Sequence, residues 1–307
     1  MKLLFLKCSV YLVIGSVLFV SACKKDAKVV PGNTAPYYAG IPSVKIENYV
    51  NRLFIDLIGR EALATELSSE TDFLRSNGLS MDAREQLIVK LQTDATYRPG
   101  DSSYFYAYNT RLFELTKVRL LEGAADSEFL FYKGLIDFQI IQDSISGDSL
   151  SFRINKEKAN NCLKALHAKA DFMNDSITIN QYYFRLLNNA VYDQINMNSF
   201  NFIRATFNDL FFRYPSNSEF NASFDMVDKN LPNVVFGKSG QSKSNYLNIL
   251  VNSGEFHEGV VRWLYRTFLS REASYQEVSE VTQSFYADKD LVKAQRTILK
   301  SDEYANF

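Results

Sequence analysis

Residue types that do chemistry are few in this sequence and mostly isolated. His167 and His257 are its two histidines. Neither belongs to an H-x-x-x-H set, and no C-x-x-C or C-x-x-C-H accompanies them, so the spacings that hold zinc or attach haem are missing. His257-Glu258 lacks the second histidine of a zinc protease. His167 and Asp171 stand four apart on an expected helix, which would make them a solvated or packed pair. There is no G-x-S-x-G, and a serine or cysteine nucleophile would need a histidine and an orienting acid brought together in space. Cys162, in Ala159-Asn-Asn-Cys-Leu-Lys-Ala-Leu, follows a helical pattern and reads as a small buried hydrophobe. The expectation is no catalytic residue, no metal and no cofactor.

Val234-Val-Phe-Gly237-Lys-Ser-Gly-Gln-Ser242-Lys243-Ser244 looks at first like a phosphate-binding loop, a short β-like run before a helix. That loop needs glycine, four residues, then Gly-Lys-Ser/Thr. Ser242 stands where the second glycine must let the backbone approach phosphate. The stretch is therefore expected to be a flexible loop between helices.

The elements around these residues are organised by a repeat. Aligned on Arg60, Arg213 and Arg271, three segments place an aromatic six residues before the arginine (Phe54, Phe207, Tyr265) and a glutamate six after it (Glu66, Glu219, Glu277). Before each arginine the apolar positions fall at −10, −7, −6, −3 and −2, as in Val50, Leu53, Phe54, Leu57 and Ile58; Thr206 is the one polar exception in the second copy. That is one face of an α-helix. Ser216 with Glu219 and Ser274 with Glu277 have capping-box spacing, whereas the first copy has Leu63 at that place. The arginine–glutamate pairs are expected to be clasps across a helix–turn–helix, with roles in folding. Asp56 and Asp209, four residues before their arginines, share its helix face and would pair with it weakly, by about 0.2–0.5 kcal/mol. Downstream, Ile249-Leu250 runs into Ser253-Gly-Glu255-Phe256 and Ile298-Leu299 into Ser301-Asp-Glu303-Tyr304; Leu91, Thr93-Asp94 and Tyr97 echo this loosely in the first copy.

These segments resemble the small helical modules of exported bacterial proteins, including the phycobilisome-linker-like type, which carry a "YxDLLGRE" helix and a "SxE[FY]" close. The matching residues are Phe54-Ile-Asp56-Leu57-Ile58-Gly59-Arg60-Glu61 and Ser301-Asp302-Glu303-Tyr304. The resemblance covers about half the chain and implies exported, modular, helical proteins with no catalytic residues. Phe212 and Tyr214 depart from it where Gly and Glu would stand.

Lys2 and Lys7 precede an apolar run from Tyr11 to Val20, too short to span a membrane as a helix and typical of a signal peptide. Val20-Ser21-Ala22-Cys23 resembles the lipobox of bacterial lipoproteins. That resemblance implies cleavage before Cys23, lipidation of Cys23, and, with Lys24 following, an outer-membrane address, periplasmic or surface-facing. Residues 24–43, with Pro31, Gly32, Pro36, Gly40 and Pro42, read as a flexible tether.

Losing Lys2 and Lys7 would take the net charge from −1 to −3, which gives no electrostatic case for a nucleic-acid partner. With 46% apolar and 22% charged residues the chain has the composition of a folded body. The expected organisation is all-α: signal 1–22, lipidated tether 23–43, helical unit one 44–98, a helical middle block 99–198 inserted or diverged, unit two 199–257 and unit three 258–307. Within the middle block Leu150–Ile154 could be a short extended piece. The expected function is a lipid-anchored interaction or assembly module with an envelope protein partner, bound to the membrane through Cys23. Two readings compete with it. One is an enzyme on envelope polymers, which would need a pocket joining a histidine to two acids. The other is a glycan binder, which would need a groove of exposed Tyr or Trp263.

Overall fold

Serine, threonine, asparagine or aspartate precedes most of the apolar-periodic runs, and those residues start the helices. Ser80, Ser103, Ser216, Ser253, Ser274 and Ser301 each accept a hydrogen bond from the third backbone N–H of the helix that follows. Thr178 does the same, with Gln181 reaching back to close the box. The computed structural model describes residues 38–307. The signal, Cys23 and most of the expected tether therefore lie outside the described residues.

Sixteen α-helices follow in that part of the chain. The first unit holds α1 (Ser43–Leu53), continued by a π-helical turn (Phe54–Ile58), then α2 (Ala64–Ser76) and α3 (Met81–Thr93). The middle block holds α4 (Tyr104–Leu121), α5 (Asp126–Ser146), α6 (Ser149–Leu166), α7 (Ala168–Met173), α8 (Ile179–Leu187) and α9 (Ala190–Asn196). Next come α10 (Ser199–Phe211), α11 (Asn217–Val227), strands β1 (Asn233–Val235) and β2 (Lys238–Gly240), and α12 (Lys243–Val251). The last elements are α13 (Gly254–Leu269), α14 (Tyr275–Asp288), α15 (Leu291–Leu299) and α16 (Asp302–Ala305). The fold is all-α.

Two local expectations are overturned. Leu150–Ile154 is helical, because Asp148 caps α6 through the N–H groups of Leu150 and Ser151 and α6 packs along α5. The stretch after Val234 is a β-hairpin: Phe236 and Gly237 both take positive φ (51° and 71°), the geometry of a tight type I′ turn. Lys238 and Ser239 sit on the second strand, and Ser242 caps α12, whose first residues are Lys243 and Ser244, so the stretch is an ordered hairpin running into a helix.

The described body also begins earlier than the tether boundary. Tyr38–Gly40 forms a 3₁₀ turn, and the Tyr38 hydroxyl donates to Asp302 at 2.9 Å.

The helical units do not stack as an open row. α1 packs on α16 and α3 on α15, so unit one lies against unit three. α10 packs on α13, α12 on α8, and α4 on both the π-helical turn of unit one and α9, which closes the circuit through the middle block. One continuous apolar core runs through it, from Val50 and Phe54 through Tyr182 and Phe207 to Leu264 and Leu299. At Gly259 α13 comes close against the backbone of α10. A Cβ there would lie 1.8 Å from the Leu210 carbonyl oxygen.

Candidate functional site

The three repeated arginines occupy the same local setting. The residue before each is left-handed: Gly59 (φ 87°), Phe212 (φ 56°) and Ser270 (φ 54°). That conformation ends the helix and turns the arginine back over it. Each guanidinium sits above the aromatic six residues earlier: 5.4 Å from the Phe54 ring centre, 5.1 Å from Phe207 and 5.2 Å from Tyr265. Each grips its glutamate with two parallel bonds, at 2.7 and 2.9 Å for Arg60–Glu66, 2.9 and 2.7 Å for Arg213–Glu219, and 3.0 and 2.6 Å for Arg271–Glu277. The same glutamate accepts the N-cap N–H of the following helix, from Leu63, Ser216 and Ser274. The backbone half of the capping box therefore forms without a serine at Leu63.

A second carboxylate completes each setting, and here sequence spacing was a weaker guide. Glu255 and Glu303 take the other edge of Arg213 and Arg271, with Nε–Oε1 distances of 2.5 Å. They belong to the repeated Ser-x-Glu-aromatic close, so the signal was present though its role was not. In unit one the partner is Asp101, whose Oδ2 lies 3.0 Å from Arg60 Nε. The looser Thr93-Asp94…Tyr97 echo does not supply it: Asp94 binds Arg98 at 2.8 Å, and Tyr97 is exposed. Every N–H of these guanidinium groups faces a carboxylate or a carbonyl, which leaves them no donor for a ligand.

Asp56 and Asp209 do not pair with Arg60 and Arg213. Each accepts a buried tyrosine hydroxyl at 2.8 Å, from Tyr304 and Tyr192 respectively. Burial raises the Asp209 carboxyl to about 6, against the opposing effects of the Tyr192 bond and the nearby Arg119 charge. Arg119 is itself buried beside the rings of Phe212 and Trp263 and donates to the Asp209 carbonyl.

Neither histidine is paired with a carboxylate among the described residues. Asp171 takes Arg185 at 2.5 Å in place of His167, because Arg185 on α8 projects across to the end of α7. His257 is 1% exposed, and its Nδ1 lies 2.9 Å from the Ser253 carbonyl oxygen. Burial holds its imidazole below the usual histidine range. The cleft that reaches it, of about 360 Å³, is lined by amides and lysines, including Asn180, Asn248, Lys238 and Lys289, and by no carboxylate. Cys162 is buried. No group of three or more potential metal ligands occurs among the described residues. Trp263 is 9% exposed and serves the core.

The exposed feature that stands out is apolar. Helices α5 and α6 form an antiparallel hairpin, and α5 buries only Phe129 and Asp143. Its outer face carries Leu130, Phe131, Leu135, Phe138, Ile141 and Ile145, each between 54% and 77% exposed. Leu150 and Ile154, at the start of α6, are exposed as well. Among the described residues nothing covers this outer face of α5. Contiguous exposed apolar surface of this extent marks an interaction site.

Compared with known proteins, the chain matches no family model, no curated protein and no solved structure.

Proposed function

We propose that this chain is a lipid-anchored cell-envelope protein acting as an interaction or assembly module, attached through Cys23 at the outer membrane and docking a protein partner. The observation that carries the reading is the apolar ridge on the α5–α6 hairpin. A charge-rich surface repels nonspecific contacts; a row of large apolar side chains raised on a two-helix projection is costly in water and is relieved by a protein partner. Support also comes from the use made of the repeated polar residues, which are bonded to one another within the fold. The anchor rests on the Val20-Ser21-Ala22-Cys23 resemblance.

The test is cross-linking in intact cells, with capture through a C-terminal tag, a Cys23→Ala control and a Phe138→Glu variant. A dominant cross-linked species that is lost in both variants supports the proposal. Equal capture from Phe138→Glu and wild type removes the ridge from the function, and recovery without Cys23 removes the anchor.

A further inference from the structure

Helix α5 has 21 residues, about 31 Å at helical rise. Phe131, Leu135 and Phe138 follow one another at steps of four and three, and Ile145 lies seven further on, with Gln142 between. That is the seam of a helix–helix pair, with one polar position in it. The inner face of α5 is already satisfied: Asp143 accepts from Asn155 of α6 at 2.7 Å and from Gln139 at 3.0 Å. The seam therefore faces away from the molecule's own core.

We propose that the ridge is the contact between two copies of this chain, whose α5–α6 hairpins meet antiparallel as a four-helix bundle. The inference rests on reading the ridge as an interaction surface and names its occupant. Three observations favour a second copy. The first is shape. Laid antiparallel on itself about Ile136, α5 sets Phe138 against the partner's Gly134, where a side chain is missing and space is open, and Phe131 against the partner's Ile141. Phe138 thus finds room at a glycine across the dyad, and Phe131 meets an apolar neighbour.

The second is charge. α5 carries Asp126, Glu128, Asp137 and Asp143 against Lys133, while α6 carries Arg153, Lys156, Lys158 and Lys164 against Glu157. The antiparallel arrangement brings Glu128, near the root of one hairpin, toward Arg153, near the tip of the other, while Asp126 already pairs with Lys117 of its own chain. The third is area. The six side chains of the α5 seam, exposed to this degree, amount to roughly 650 Å² per copy, within the per-partner range of a specific interface.

The experiment uses the full chain in intact cells. Leu135→Cys places a thiol beside the proposed dyad, and Arg262→Cys places one on α13, outside the hairpin. Mild oxidation is expected to give a disulfide-linked species of twice the monomer mass from Leu135→Cys and not from Arg262→Cys. Adding Phe138→Glu should reduce that species about tenfold or more, since a carboxylate would be buried without a partner. Phe138 is exposed in the single chain, so this change leaves the fold intact. Absence of the doubled species overturns the inference. If an amine cross-linker then captures a different protein through the ridge, the interaction-module reading stands alone. Protection of the thiol in the Leu135→Cys variant from a membrane-impermeant maleimide, abolished by detergent and with no doubled species, would assign the ridge to lipid. No capture and no protection would remove both the inference and the reading it rests on.

Discussion

Tyr304 donates its hydroxyl to Asp56 at 2.8 Å across 248 residues of chain, and Tyr192 makes the same bond to Asp209 within 17. In both cases the aspartate stands four residues before a repeated arginine, and the tyrosine occupies the aromatic place three residues after a helix N-cap, Ser301 or Asn189. The middle block therefore closes onto unit two as unit three closes onto unit one. Its Leu186…Asn189-x-x-Tyr192 is a form of the closing signature without the glutamate.

This relationship predicts a coupling energy. In a double-mutant cycle of Asp56→Asn and Tyr304→Phe, chemical denaturation should report about 1–2 kcal/mol of interaction between the sites. A coupling near zero would make the bond incidental to the closure.

Arg213 holds two carboxylates, so Arg213→Ala leaves Glu219 and Glu255 facing one another without their cation. The site is about one-third exposed, which limits the loss to about 1–2 kcal/mol, or a fall in melting temperature of several degrees. Arg213→Lys should recover little of it, because an ammonium cannot make the paired bonds. Export should be unaffected. A melting curve unchanged in Arg213→Ala would exclude the clasp.

Two sets of acids pull the pH dependence in opposite directions. The Arg213 bond lowers Glu219 to about 2, and the Arg271 bond lowers Glu277 to about 2. Burial works against Glu66, but bonds from Arg60, Tyr104 and the Leu63 N–H outweigh it and bring it to about 2 as well. Their contribution is present above the ordinary glutamate value of 4.5 and is lost as pH falls toward 2. Solvent screening keeps it to about 1 kcal/mol per clasp. Asp209, raised to about 6 by burial, favours the folded state while protonated, and that contribution is lost as pH rises from about 4 through 6. Melting temperature followed from pH 3 to 8 should therefore fall steeply at the acid end. Between pH 4 and 6 the Asp209→Asn variant should gain on wild type, since its amide still accepts from Tyr192. Parallel curves for the two proteins would contradict the assignment to Asp209.

Gly259→Ala is expected to be among the costliest single-methyl additions in this chain. Its Cβ would collide with the Leu210 backbone, which has no flexible end to swing away. Separating α10 from α13 should cost about 2–3 kcal/mol, read by denaturant midpoint. Gly254→Ala, where nothing lies within 4 Å, is the matched control.

The arginine–glutamate clasps were legible because their spacing is local: six residues across one turn, repeated three times. The second carboxylates were half legible, since Glu255 and Glu303 sit in a repeated signature while Asp101 lies in a loop with no periodicity. Helix geometry points Asp56 to its neighbour Arg60, yet in the fold a tyrosine hydroxyl from a distant helix is its partner. Leu150–Ile154 looked extended because it holds Phe and Ile in alternation; the Asp148 cap and the packing of α6 on α5 overrode that preference. The ridge itself was hidden in plain periodicity. An apolar stripe such as Phe131, Leu135 and Phe138 says that one face of a helix seeks cover, without saying whether its own chain provides it.

The contact of unit one with unit three has a consequence in time. Arg84 is fully buried and finds its carboxylate in Asp302, Tyr49 donates to the Leu299 carbonyl, and Gln92 bonds Gln295. Synthesis delivers α1–α3 first, yet the groups that neutralise and satisfy them arrive some 200 residues later. Until then a guanidinium that the fold will bury and an open apolar face stand in water or in the hands of a chaperone. Such high sequence separation slows the productive collapse and lengthens exposure to aggregation. Unit one can thus become native only after α15 and α16 have been made.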